Sequence, residues 1–135
     1  FVTNKIVKTA VKIKLGMEKK LILGNLDSYR DWGHSKDYVI AMHKILNHKI
    51  PDDFVIASGK TYSVRQFCQK TFEKLKMNYK DYVVQHKKYF RPGEVPFLKG
   101  DASKARKILK WKPKYTIDTL IEDMINSWLE TLGKK

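Results

Sequence analysis

The sequence predicts an α/β fold of mixed helices and short strands, and three observations carry that prediction. Amphipathic helical stripes outnumber strand-like runs. The strand-like runs are short and separated by turn residues. One run, Phe54-Val55-Ile56-Ala57, is apolar throughout, as in a strand covered on both faces of a parallel sheet. A single such strand cannot bury itself, so its neighbours are expected from outside these 135 residues.

Residues 4–15 place Ile6, Val7, Ala10, Val11 and Leu15 at helical spacing, with Lys8, Lys12 and Lys14 mostly on the other side. Gly16 supplies a stop. Leu21-Ile22-Leu23 is a short apolar strand, and Gly24, Asn25 and Asp27 add turn chemistry. Residues 29–32 return as a second short strand. Ser35 is an N-cap candidate for a helix to Asn47, with Val39, Met42, His43 and Leu46 on one face. Ser63 with Gln66 is a capping-box pattern opening a helix to about Met77, with Val64, Phe67, Cys68 and Leu75 inward. Tyr82-Val83-Val84 is another strand candidate. Asp101 caps a short helix ending near Leu109, and Trp111-Lys112-Pro113 breaks it. Thr116 caps a last helix over 117–132 with the stripe Ile117, Leu120, Ile121, Met124, Trp128 and Leu132, and Gly133 stops it.

The net charge is +14, from 28 Lys+Arg against 14 Asp+Glu. Such a balance points first to nucleic acid or an anionic surface. Only Arg30, Arg65, Arg91 and Arg106 are arginines, however, and the lysines are scattered with no run of five. Scattered lysine reads as a solvated surface, so the arginines are the more informative cations. The composition, 42% hydrophobic and 12% aromatic, excludes a disordered tail. One cysteine, Cys68, excludes an internal disulfide framework and fits a reducing compartment. No apolar run reaches the roughly 20 residues of a membrane span. No signal peptide is recognisable, and a first residue Phe1 reads as a piece of a longer chain. There is no glycine-rich phosphate loop and no Tyr followed four residues later by Lys. His34, His43, His48 and His86 lack metal-ligand spacing, and no metal site is expected.

Two segments concentrate unusual residues. Leu23 to His34 joins a glycine, an Arg beside an Asp, and Trp32. The alternative for it is a tight hairpin with a surface ion pair. Tyr89-Phe90-Arg91-Pro92-Gly93-Glu94-Val95 holds an Arg before a proline, three residues from a carboxylate. Arg offers a fork for phosphate, and Glu can accept from a diol. The alternative there is a salt-bridged loop end. Chemistry alone leaves both choices open.

At these residues the chain resembles the GDP-mannose 4,6-dehydratase family of extended short-chain dehydrogenases/reductases, in its C-terminal part. The resemblance runs in order through Phe1-Val2-Thr3-Asn4-Lys5-Ile6, Leu23-Gly24-Asn25-Leu26-Asp27 and Arg30-Asp31-Trp32-Gly33-His34-Ser35-Lys36-Asp37-Tyr38-Val39. It continues through Asp53-Phe54-Val55-Ile56-Ala57, Ser63-Val64-Arg65, Tyr89 to Val95, Gly100-Asp101 and Trp111-Lys112-Pro113. The Arg30–Val39 string and the Tyr89–Val95 string together are highly specific. The chain departs from the family at Asn4, at Pro96, where a bend or an edge is expected, and at Lys110, where glycine is common.

The resemblance implies the C-terminal substrate-binding part of an NAD(P)-binding Rossmann-type enzyme. The family converts GDP-mannose to GDP-4-keto-6-deoxy-mannose. Tightly held NADP takes a hydride from C4, water is eliminated across C5 and C6, and the hydride returns at C6. The resemblance assigns Lys5 to the helix lining the nucleotide pocket and Leu23 and Gly24 to backbone approaching GDP. It assigns Arg30 and Arg91 to the diphosphate, and Glu94 to the ribose hydroxyls. Two Arg forks and a Lys suit a diphosphate, and a carboxylate suits a diol. Arg65 and Arg106 have no such support and read as structural.

Residues 1–135 are then the GDP-sugar-binding portion, with 36–58 expected to pack on a Rossmann cofactor domain. The catalytic residues are expected upstream of Phe1, none lies in this chain, and the 135 residues alone should be inactive. The full protein is expected to be a cytoplasmic homo-oligomer, dimer or tetramer, with no nucleic-acid or membrane partner. The alternatives are a related GDP-sugar reductase or epimerase and, from another class, a basic nucleic-acid-binding module with steep salt dependence.

Overall fold

A computed structural model describes residues 1–133 of the chain. They divide into two compact units. The first comprises residues 1–28, 63–96 and 121 onward, and the second residues 29–62 and 97–120.

In the first unit, α1 (Val2–Lys14) buries Ile6, Val7, Ala10 and Val11 completely. Its end is set by Gly16, whose φ of 76° lets the amides of Gly16 and Met17 close on the carbonyls of Ile13 and Lys12. β1 (Leu21–Leu23) pairs in parallel with a strand at Val83–Gln85, Leu21 opposite Val83 and Leu23 opposite Gln85. That strand lies one residue beyond the expected 82–84. A long crossover joins the two, as a parallel pair requires. It contains a helix at Val64–Lys74 whose capping box is complete: Ser63 Oγ accepts from Gln66 N and Gln66 Oε1 accepts from Ser63 N. Val64, Phe67, Cys68 and Leu75 are buried as expected, and α1 packs against this helix. It stops three residues before Met77, because Lys76 turns left-handed at φ 60° and Met77 N closes on Phe72 O. Asn4, one of the departures, accepts a hydrogen bond from Trp128 Nε1 at 3.0 Å.

In the second unit, β2 (Tyr29–Arg30) pairs with β3 (Tyr62–Ser63). Beyond Pro96, Phe97 makes only an isolated parallel bridge to Tyr29. β1 and β2 do not pair with each other, so Leu23–His34 is not a hairpin. α2 (Ser35–Leu46) is capped by His34 rather than Ser35, since His34 Nδ1 accepts from Lys36 N at 3.0 Å. The helix at Val64–Lys74 is α3 and the strand at Val83–Gln85 is β4. α4 (Ser103–Ile108) follows, with Asp101 Oδ1 accepting from Ser103 N one residue ahead of the cap, Ala102. α5 (Ile117–Gly133) starts at Thr116, which exchanges backbone-to-hydroxyl bonds with Thr119. Gly133, expected as a stop, is helical and is the last described residue.

The core of this unit is built around Trp111, 2% exposed, with Ala41, Ala102, Ala105 and Leu109. Trp111 Nε1 donates to Asp37 O at 2.9 Å, and the Asp37 carboxylate accepts from the amides of Lys114 and Tyr115. The strand expected at 54–57 does not form among the described residues, and the apolar stripe of α2 is exposed. Val39, Met42 and Leu46 of α2 are 60%, 60% and 84% exposed, and Asp37 and Ala41 are the buried positions. Residues 54–57 form no ladder: Val55 is exposed while Phe54 and Ile56 lie half-buried against the Trp111 cluster. Backbone groups at these positions have no neighbouring strand among the described residues.

Candidate functional site

In the first unit, the start of the first segment singled out by sequence, Leu23–Asn25, meets the second at the end of β1. Leu23 is buried, and its carbonyl accepts from His86 N at 2.8 Å. Gly24 O accepts from Gln85 Nε2 at 3.2 Å. A Cβ on Gly24 would lie 2.6 Å from the Tyr89 carbonyl carbon. Glycine is therefore required at this position by the approach of the 89–90 backbone. The 3₁₀ turn Lys87–Tyr89 is capped by His86, whose Nδ1 accepts from Lys88 N at 3.1 Å. That turn delivers Tyr89, and α1 delivers Lys5, whose Nζ stands 4.3 Å from the centre of the Tyr89 ring.

Arg91 to Glu94 follow as a turn. Pro92 fixes its first central position, and Gly93 takes φ 70° at the second. Arg91 is exposed and Glu94 is half-buried. Glu94 Oε2 accepts from Asn25 Nδ2 at 3.4 Å. The structure thus brings Lys5, Leu23 and Gly24 together with the loop that carries Arg91 and Glu94. Arg30 belongs to the second unit, on β2, where its Nη1 donates to Tyr29 O at 2.7 Å.

Sequence reasoning gave no binding role to Asn25, Gln85 or Tyr89. Asn25 and Glu94 are 69 positions apart, and no local pattern links residues at that separation. Asp31, whose ion pair was the alternative for this segment, gathers amides of its own unit. Its carboxylate accepts from Ser58 N at 2.9 Å, Gly59 N at 3.0 Å and Gly100 N at 3.1 Å. Arg65 pairs with Asp27 at 3.2 Å, and this hydrogen bond, aided by another to Tyr79, holds its proton more tightly than usual. Burial pushes the Cys68 thiol up to about 12, so it stays protonated and poorly nucleophilic near neutral pH. Among the described residues, no group of three or more His, Cys, Asp or Glu side chains could hold a metal ion. Among the same residues, no helix is long and apolar enough to cross a membrane.

The architecture has counterparts among solved structures. RMD from Pseudomonas aeruginosa complexed with NADPH matches with a TM-score of 0.88 at 20% identity, over 98% of this chain and 43% of that one. The dTDP-glucose 4,6-dehydratase of Bacillus anthracis in complex with NAD matches with a TM-score of 0.76 at 22% identity, over 96% and 40%. At these identities the likeness is one of fold alone. Sequence narrows the class. The family model for GDP-mannose 4,6 dehydratase matches residues 1–124. GDP-mannose 4,6 dehydratase 1 of Arabidopsis thaliana is 45% identical over 130 residues, 96% of this chain, and the Homo sapiens enzyme is 42% identical over 149 residues, 98% of it. The chain belongs to the GDP-mannose 4,6-dehydratase family. It spans 36% of the Arabidopsis relative's length and 40% of the human one's.

Proposed function

We propose that this chain is the nucleotide-sugar-binding portion of a GDP-mannose 4,6-dehydratase, a lyase that makes GDP-4-keto-6-deoxy-mannose. The observation that carries the proposal is the convergence, in a chain of this family, of Lys5, Leu23 and Gly24 on the Tyr89–Glu94 loop. Arg91 offers an exposed guanidinium fork to the diphosphate, and Lys5 adds a point charge. Glu94 accepts from the ribose hydroxyls. Arg30, on β2, is the second arginine for the diphosphate. Charge-assisted hydrogen bonds of this kind contribute about 1.5–3 kcal/mol each.

NADP, when bound, supplies a transient acceptor for the sugar's hydride. In this reading the cofactor and the acid/base residues sit in a preceding domain, as the family resemblance implies. Residues 36–58 would pack on that domain. Val39, Met42, Leu46, Ile50 and Val55 are each more than half exposed, and exposed apolar side chains of this kind suit a partner surface. The 135 residues alone would then lack turnover, and the full protein would act in the cytoplasm as a homo-oligomer.

The test is thermal protection of the full-length protein by GDP. GDP should raise its Tm, and Arg91→Ala should remove most of the rise. Equal protection of wild type and variant would count against the assignment.

A further inference from the structure

Glu94 is held by a residue to which no role has been assigned. Asn25 spends its whole carboxamide in one small cluster of the first unit. Its Oδ1 accepts from Asp27 N at 2.9 Å, closing an Asx turn. Its Nδ2 donates to Ser28 Oγ at 2.9 Å and to Glu94 Oε2 at 3.4 Å. An amide NH₂ has two hydrogens, and these two acceptors use both. Ser28 is itself fixed: it is 1% exposed and its carbonyl accepts from Val64 N, the first residue of α3. The amide plane is therefore set from both ends before it meets Glu94.

Glu94 sits on a loop between left-handed Gly93 and Pro96, with three side-chain torsions to order. A carboxylate that must be ordered when the ligand arrives pays that entropy out of its affinity. The neighbouring contacts place Asn25 where it can do this work, because Leu23 O and Gly24 O are already tied to His86 and Gln85.

We propose that Asn25 is a positioning residue for Glu94, orienting its carboxylate toward the ribose diol and so setting the preference for a ribonucleotide. The inference rests on the assignment of Glu94 to the ribose. Asn25→Asp is the informative variant. It keeps the oxygen that accepts from Asp27 N, and it sets an anion in place of the donor that faces Glu94.

The experiment measures binding of GDP and of 2′,3′-dideoxy-GDP to the full-length protein, with Tm recorded for each variant. Wild type should favour GDP by about tenfold or more, the size expected of a charge-assisted bond. Asn25→Asp should cut that preference by about threefold or more, and should cut it no further when added to Glu94→Gln. If Asn25→Asp does not fold, Asn25→Ala removes the donor without adding a charge and is judged by the same ratio. A wild-type ratio in the folded variant, whatever its Tm, overturns the positioning role and leaves Asn25 as a turn residue. If wild type and Glu94→Gln bind both nucleotides equally well, the ribose assignment itself fails, and that result is visible before any Asn25 variant is made.

Discussion

The helices of the two units treat their apolar stripes in opposite ways. In the first unit, α1 and α3 turn Ile6, Val7, Val11, Phe67 and Phe72 wholly inward. In the second, α2 fully buries only Ala41 among its apolar residues, half-buries Tyr38 and Ile45 against the Trp111 cluster, and leaves Val39, Met42 and Leu46 exposed. All three helices have an amphipathic pattern, so the pattern does not separate them. What separates them is whether this stretch of chain also encodes the surface that covers the stripe. The first unit has its own partners in α1, α3 and α5. The second has a small core of alanines and one tryptophan, and its larger apolar face is left over.

The strongest way to probe the smaller core is Trp111→Ala. It removes the largest side chain of the cluster and its bond to Asp37 O, and should cost about 3–5 kcal/mol in chemical denaturation. A cost near that of an exposed substitution would show that the second unit is held by something else. Met42→Lys addresses the uncovered face. In the 135-residue chain it should change stability by less than about 0.5 kcal/mol. In the full-length protein it should cost about 2 kcal/mol or more, because a cation would be set in an apolar contact. Equal effects in the two proteins would break the docking assignment for residues 36–58.

The smallest effect concerns helix ends. α1 closes on Gly16, but α4 is followed by Lys110 in the same left-handed region, at φ 55°. Lys110→Gly should stabilise the chain by about 1 kcal/mol, visible as a higher denaturation midpoint. No gain would mean that Lys110 contacts offset its backbone strain.

Much of the first unit was legible in sequence. The α3 capping box, the Gly16 stop and the Leu21–Leu23 strand are local signals, and each stands where the pattern put it. The α2 cap was placed one residue late, since a histidine performed the task that serine usually takes. The 54–57 strand failed for another reason: an apolar run marks burial, but only a neighbouring strand makes a ladder. At the site, the strings around Arg30 and Arg91 were enough to point to a family. The role of Tyr89 as a platform for Lys5 and the grip of Asn25 on Glu94 were not visible.

By itself the sequence determined the α/β class, the existence of the helices, the α3 capping box and Gly16 stop, and the family, since these depend on neighbours three or four residues apart or on strings of ten. The tertiary structure alone decided which stripes are covered and which residues of the two strings touch. Those outcomes depend on a 60-residue crossover closing β1 on β4, and on whether a complementary surface is present to exclude water. Neither is a property of any short stretch of chain.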